Sequence, residues 1–308
     1  MAVPLRIDLA FRQPAVRDLA CLLSSPAPGK VAYEVPRSLL LGADGFERLA
    51  AWDAAPWPLL DWMASRRHVR LGHYAEHLLC FWFLHAPHIE LVAANRVVRQ
   101  GALTLGEFDF LLRIDGRPWH VETASKYYLQ MGCALDTLVG PSLRDAWVLK
   151  LLKLERQLQL SRHPAARAVL PSDFLDCQRG ALVHGCFFYP TSSLVRAPDA
   201  RDPARGWLAD LDQPWPQRSS GSRWLPLPRL RWLSPAIAAY PDTLSAEELR
   251  LRLRGVEAPQ MVAEVVCCSG YWREVSRGFV VPSCWPDGHR LAELRERIAT
   301  VMAATGTS

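Results

Sequence analysis

Three carboxylates stand within the two apolar strands that GEFDFLLRIDGRPWHVETASKYYL, residues 106–129, reads as: Glu107, Asp109 and Glu122. Carboxylates are depleted from strands and costly to bury without a partner. Side chains alternate across a strand, so Glu107 and Asp109 fall on one face, and Glu122, Ala124 and Lys126 fall together on the next strand. Pairing about the DGRP turn brings Asp109 close to Glu122, with Lys126 two alternate positions beyond. Two carboxylates beside a lysine make an oxygen-rich, partly neutralised pocket suited to Mg²⁺ or Mn²⁺. A cation held there lowers the pKa of a bound water and stabilises charge on a phosphodiester, while the lysine offsets charge in the transition state. Glu76, on the helix before the strands, is placed to add a third carboxylate. A solvated surface hairpin is the bland alternative for any one of these acids.

Two further sets compete for a role. On the helix after the strands, Lys150, Lys153 and Gln157 lie about one turn apart, a stripe that could face a phosphate backbone or simply solvent. HYAEH, His73 to His77, matches the HxxEH pattern of inverted zinc proteases, with Glu76 as general base. Seven of the nine histidines lie between His68 and His163. No third zinc ligand stands out, and this reading leaves the strand acids unexplained.

The elements that must position these residues follow from periodicity. RLGHYAEHLLCFWFLHA reads as one amphipathic helix, IELVAANRVVRQ as a strand, and the quoted stretch as a hairpin. PSLRDAWVLKLLKLERQLQLS reads as a helix and ALVHGCFFYP as a strand. This order describes a mixed sheet with helices packed on it. Before it, short helical patterns broken by proline form a helical N-terminal layer. After it comes a Pro-, Trp- and Arg-rich segment with little periodicity. Its Trp207, Trp215, Trp224 and Trp232 could stack on unpaired bases beside Arg218, Arg223, Arg229 and Arg231, or serve as core. SAEELRLRL, with Ser245 as cap, is a helix, QMVAEVVCC and SRGFVVP are strands, and HRLAELRERIATVMAA is a terminal helix. Arg277 and Trp285 lie at a structural corner. The expected organisation is a helical layer over 1–65, a core over 66–195 and an α+β extension over 196–308.

Half of the 308 residues are hydrophobic and 22% are charged, the composition of an ordinary globular protein. Charges at Arg6, Asp8, Arg12, Arg17 and Asp18 break up any signal-peptide core, and LLCFWFL is far short of the roughly 20 apolar residues a spanning helix needs. A cytoplasmic chain with no membrane partner is expected. The eight cysteines contain no CxxC pair and read as buried free thiols. Between Arg66 and Leu170, 14 Lys or Arg face 9 Asp or Glu, so the net charge of +5 resides in the segment that carries the acids. That local excess points to an anionic ligand, nucleic acid above all.

A helix Glu, a strand acid and Glu-x-Lys on the next strand form the pattern of the PD-(D/E)XK nuclease superfamily, which this stretch resembles through Glu76, Asp109 and Glu122. Position 124, where that pattern has Lys, is Ala124; Lys126 lies on the same face about 6–7 Å farther along. The whole chain also resembles a bacterial family, domain of unknown function 1853. That resemblance runs through VRDLACLLSSP, RLGHYAEHLLCFWF, GEFDFLL, ETASKYYL and GPSLRDAWVLKLLKLERQLQLS, then GCFFYP, RLRWLSP and SRGFVVPSCWP. The family's usual spacing is Glu-x-x-x-Lys. The resemblance implies a restriction-endonuclease-like α/β fold, a mixed β-sheet flanked by helices. The resemblance to the nuclease superfamily implies Mg²⁺- or Mn²⁺-dependent hydrolysis of DNA phosphodiesters, with Glu76, Asp109, Glu122 and Lys126 catalytic and the three acids as metal ligands; the bacterial family supplies no substrate. Some members of the superfamily place a Gln close to the site on the helix after the Lys strand, which Gln157 would match. A catalytically inactive nuclease-fold protein that binds nucleic acid or acts as a scaffold is the alternative, and a zinc metalloprotease a remote one.

Overall fold

Leu71–His85 (α5) forms where the apolar spacing predicts a helix, and buries Leu71, Ala75, Leu78, Leu79, Phe81, Trp82 and Phe83. It continues a helical layer of Pro14–Ser24 (α1), Arg37–Leu41 (α2), Gly45–Ala54 (α3) and Trp57–Ala64 (α4). Val16, Leu19 and Leu23 of α1 are fully buried, and the Trp82 indole donates to Leu40 O at 2.8 Å. The layer also holds a buried acid, Asp18, which accepts from the Tyr74 hydroxyl at 2.9 Å. The computed structural model describes residues 11–132, 137–193 and 204–305. Arg6, Asp8, Cys133 and the stretch 197–203 lie outside the described residues.

The strands belong to a ten-stranded mixed sheet flanked by helices. The chain divides into two compact units, Met1–Ser125 with Leu151–His184, and Lys126–Lys150 with Gly185–Ser308. Two strands, Arg117–Gln130 (β3) and Gln178–Pro190 (β5), begin in the first unit and end in the second.

In the first unit, Ile89–Gln100 (β1) pairs antiparallel with Leu103–Ile114 (β2), and β2 with β3. The β2–β3 turn places Asp115 at φ 48° and Gly116 at φ 75°. Two positive φ values are what a two-residue hairpin turn of matching twist requires, and Asp-Gly supplies them cheaply. On one face of β2, Phe110 meets Phe83 of α5 edge-on, with ring centroids 5.0 Å apart. On the other, Phe108 and Leu111 join Val98, Leu160, Ala166 and Phe174 in a cluster. Phe108 and Leu111 are three apart yet share a face, so the two-residue alternation slips between them, at Asp109. Across from Asp109 in the register, Asn95 has φ 54°, the left-handed backbone that Asn tolerates best after Gly.

In the second unit, β5, Arg205–Asp210 (β6) and Tyr271–Val281 (β10) run parallel. Gln260–Cys268 (β9) is antiparallel to β10, and Arg223–Pro226 (β7) is antiparallel to β9. Short strands Leu138–Val139 (β4) and Ile237–Ala238 (β8) pair with β3 and β10. The Trp-rich segment is core. Trp207, Trp215 and Trp224 pack together with Leu249, Leu253, Val262 and Val280, and Trp232 is buried with its indole donating to Leu227 O at 2.9 Å. None of the four is presented for base stacking, because each supplies the large apolar volume that short strands β6 and β7 need for burial. The remaining helices are Trp147–Leu158 (α6), Ala246–Leu253 (α7) and Gly288–Thr305 (α8). No cysteine among the described residues is in a disulfide; Cys21 and Cys186 are buried as expected, but Cys267, Cys268 and Cys284 are exposed. Among the described residues no helix is long and apolar enough to cross a membrane.

Candidate functional site

Glu122 is the centre of the acid cluster and is fully buried, at 0% exposure. Such a group needs partners for both oxygens. His120, two residues back on the same face of β3, brings Nε2 to 2.8 Å from Oε1, and the Gln157 amide of α6 donates to Oε2 at 2.7 Å. The Asp109 backbone N–H approaches Oε1 at 3.4 Å. His120 is itself at 0% exposure, edge-on to Phe108. Burial drives its pKa down to about 4, against the opposing pull of Asp109. The ring is therefore neutral near pH 7, and the contact to Glu122 assigns its proton to Nε2.

Asp109 sits where the alternation slips, and its Oδ2 accepts from the Thr123 backbone N–H at 2.8 Å and the Thr123 hydroxyl at 3.2 Å. The slip lets this side chain cap the backbone of β3 in place of a ladder bond, while the hairpin pairing keeps Asp109 beside Glu122. Gln157 Oε1 and His120 Nδ1 are buried and have no hydrogen-bond partner among the described residues. Asp109, Glu122 and Gln157 contribute oxygen atoms to this cluster, the donor type that Mg²⁺ or Mn²⁺ prefers.

Glu76 and Glu107 meet at another place in the first unit. Glu76 lines a cleft of about 550 Å³ with Glu107, His68, His73 and Asn95. Glu122 looks toward Gln157 and shares its side of the sheet with Phe108, whereas Glu76 belongs to α5, which covers the face of Phe110. Glu107 and Asp109 thus do not act as one pair on one face. Lys126 belongs to the second unit, where its ammonium donates to Asp145 Oδ2 at 2.5 Å and the Tyr128 hydroxyl donates to the same oxygen at 3.3 Å. On α6, Lys153 is exposed while Gln157 is half-buried with its amide committed to Glu122, and Lys150 is half-buried. The stripe of three is therefore divided, with Gln157 in the acid cluster. In the HYAEH segment, His77 Nδ1 lies 3.0 Å from His68 Nε2, and burial holds the His77 pKa down to about 4. Among the described residues no group of three or more His, Cys, Asp or Glu is placed to hold a metal ion.

Sequence reasoning missed His120, Thr123 and Asp145. His120 was within reach of the alternation rule, since HVE places it two residues before Glu122. The partnership of Asp145 with Lys126 spans 19 residues and leaves no local signal.

The profile of the family described as a domain of unknown function (DUF1853) matches residues 17–281. The chain belongs to that family. No curated protein and no solved structure matches it. The matched span includes every residue of the acid cluster.

Proposed function

We propose that this member of the family is a Mg²⁺- or Mn²⁺-dependent nuclease of restriction-endonuclease-like fold, with Asp109 and Glu122 as the metal ligands. The observation that carries the reading is the placement of these two acids side by side on paired strands. Gln157 reaches one of them from the following helix and holds a spare buried oxygen. Two carboxylates suit Mg²⁺, which keeps several waters and is completed by substrate phosphate oxygens. The bound cation would supply Lewis acidity and a water of lowered pKa. The chain's own residues do the positioning: His120 and Gln157 fix the Glu122 carboxyl group, and Thr123 fixes Asp109. Lys126 enters from the Glu-x-x-x-Lys pattern, as the cation that offsets charge on the phosphoryl group. DNA is named as substrate because most of the superfamily the sequence resembles acts on DNA, and the basic excess around the acids favours a polyanion.

The complete burial of Glu122, with both oxygens bonded, and the pairing of Lys126 with Asp145 favour a second reading. In it the fold binds nucleic acid without cutting it. One experiment separates the two. Mg²⁺, Mn²⁺ or EDTA is crossed with single-stranded, duplex and branched DNA and with RNA, comparing wild type with Asp109→Ala and Lys126→Ala. Metal-dependent cleavage lost in both variants is the expected result. Binding without cleavage under every condition supports the second reading, and cleavage that persists in Asp109→Ala removes Asp109 from the site.

A further inference from the structure

Four strands of the sheet end at one cavity. Gln130 closes β3, Pro190 closes β5, Asp210 closes β6 and Val281 closes β10, and all four line a space of about 380 Å³ within the second unit. Three of these strands, β5, β6 and β10, are parallel. Open α/β sheets take their ligands at the carboxyl ends of parallel strands, where main chains diverge and loops can be varied without disturbing the core. The volume falls in the range of about 300–1,000 Å³ that small-molecule sites occupy.

The lining chemistry narrows the ligand. Met131, Leu208 and Val281 give an apolar floor. Trp285 forms a wall. Its indole packs against the cluster of Val139, Leu143, Leu291 and Leu294, and its Nε1 donates to Pro141 O at 3.0 Å. With its only donor engaged and its body packed, the ring is held in place. The polar groups are neutral amides and hydroxyls, Gln130, Gln213, Thr191 and Ser192, together with the Asp210 carboxylate. Asp210 is exposed, and its main chain is pinned: the Gln213 N–H and the Trp215 indole both donate to its carbonyl, at 3.2 and 3.4 Å. Arg250 in turn donates to Gln213 O at 3.0 Å.

We infer that this cavity binds a nucleoside, with the base stacked on Trp285 and the ribose diol on Asp210. A carboxylate at a strand end accepts from two vicinal hydroxyls and repels phosphate, so the uncharged part of a nucleotide is what fits. Gln130 and Gln213 each offer a donor and an acceptor to a base edge, and an indole face accepts any base. The cavity shares no residue with the Asp109–Glu122 cluster, and the inference does not depend on the function proposed for that cluster.

Titration calorimetry on the full chain tests the inference, with adenosine, guanosine, cytidine and uridine at about 1 mM as probes. Saturable binding of at least one ribonucleoside is expected. Its affinity should fall about tenfold or more for the 2′-deoxy form and for Asp210→Asn, and further for Trp285→Leu. Asp210 is exposed, so Asp210→Asn should keep the wild-type unfolding midpoint, which separates lost binding from lost fold. Absence of binding by all four ribonucleosides overturns the proposal. Equal affinity in Asp210→Asn does so as well, and so does saturable binding of glucose without any nucleoside.

Discussion

His120 makes the acid cluster sensitive to pH. Its folded pKa, driven by burial to about 4, lies below the 6.5 of an exposed imidazole. As pH falls from about 6.5 to 4, the unfolded chain therefore takes up a proton that the folded chain refuses, and stability is lost. The full difference is worth roughly 3 kcal/mol. Urea midpoints of the wild type should fall across that window, and those of His120→Gln should fall less, since Gln can still donate to Glu122. The slope is reduced rather than abolished, because His77 is depressed to about 4 by the same physics. Equal slopes for the two proteins would show that His120 is not held as a neutral buried ring. At this scale the sequence was half legible. Alternation alone puts His120 beside Glu122 and Asp109 opposite them, but it sends Glu107 with Asp109. The slip at Asp109 lies across from Asn95, at φ 54° on the neighbouring strand, and no pattern within GEFDF encodes it.

At the level of elements, local chemistry and tertiary packing divide the credit. Ser245 caps α7 as its sequence implies: its hydroxyl accepts from Glu248 N at 3.1 Å and Glu248 returns a bond to Ser245 N. The helix at PSLRDAW instead starts late, at Trp147. Val139 bridges to Ala146, and Leu143 and Ala146 are drawn into the cluster with α8, so Pro141–Ala146 turns rather than coils. Strands β6 and β7 were hidden because Pro and Arg interrupt the alternation around buried tryptophans. The corner at Arg277 is a clamp. Its guanidinium reaches Glu274 at 2.6 Å, Trp232 O at 2.6 Å and Ser234 O at 2.8 Å, while Glu274 accepts from Ala236 N at 2.8 Å. Burial opposes that charge and the Glu274 carboxylate more than offsets it, so the Arg277 pKa is raised. Arg277→Met leaves Glu274 buried without its counter-charge and removes one donor each from Trp232 O and Ser234 O. It should cost about 3–5 kcal/mol in urea unfolding, against about 1 kcal/mol for Ser245→Ala. A cost below that of the cap variant would mean the clamp is dispensable.

At the scale of the whole chain, the second unit is not a contiguous piece of sequence. Lys126–Lys150 supplies part of its interior, ahead of Gly185–Ser308. Val139, Leu143 and Ala146 from the earlier stretch pack with Leu291, Leu294 and Ile298 of α8. Trp147, from the same stretch, meets Phe187 at a ring separation of 5.1 Å, and Pro141 O takes the Trp285 indole bond. A fragment cut before Gly185 keeps every strand from β6 onward but loses these partners. Fully burying a large apolar side chain contributes about 1.5–3 kcal/mol, and losing Val139, Leu143 and Trp147 together is comparable with the roughly 5–15 kcal/mol that hold a domain folded. The fragment 185–308 should therefore lack a cooperative urea transition and near-ultraviolet circular dichroism, even though its far-ultraviolet signal shows strand and helix. A fragment of residues 126–308 includes the missing partners and should recover at least part of the transition. Sharp two-state unfolding of 185–308 by itself would show that the interior contributed by residues 126–150 is not needed to hold the tryptophan core together.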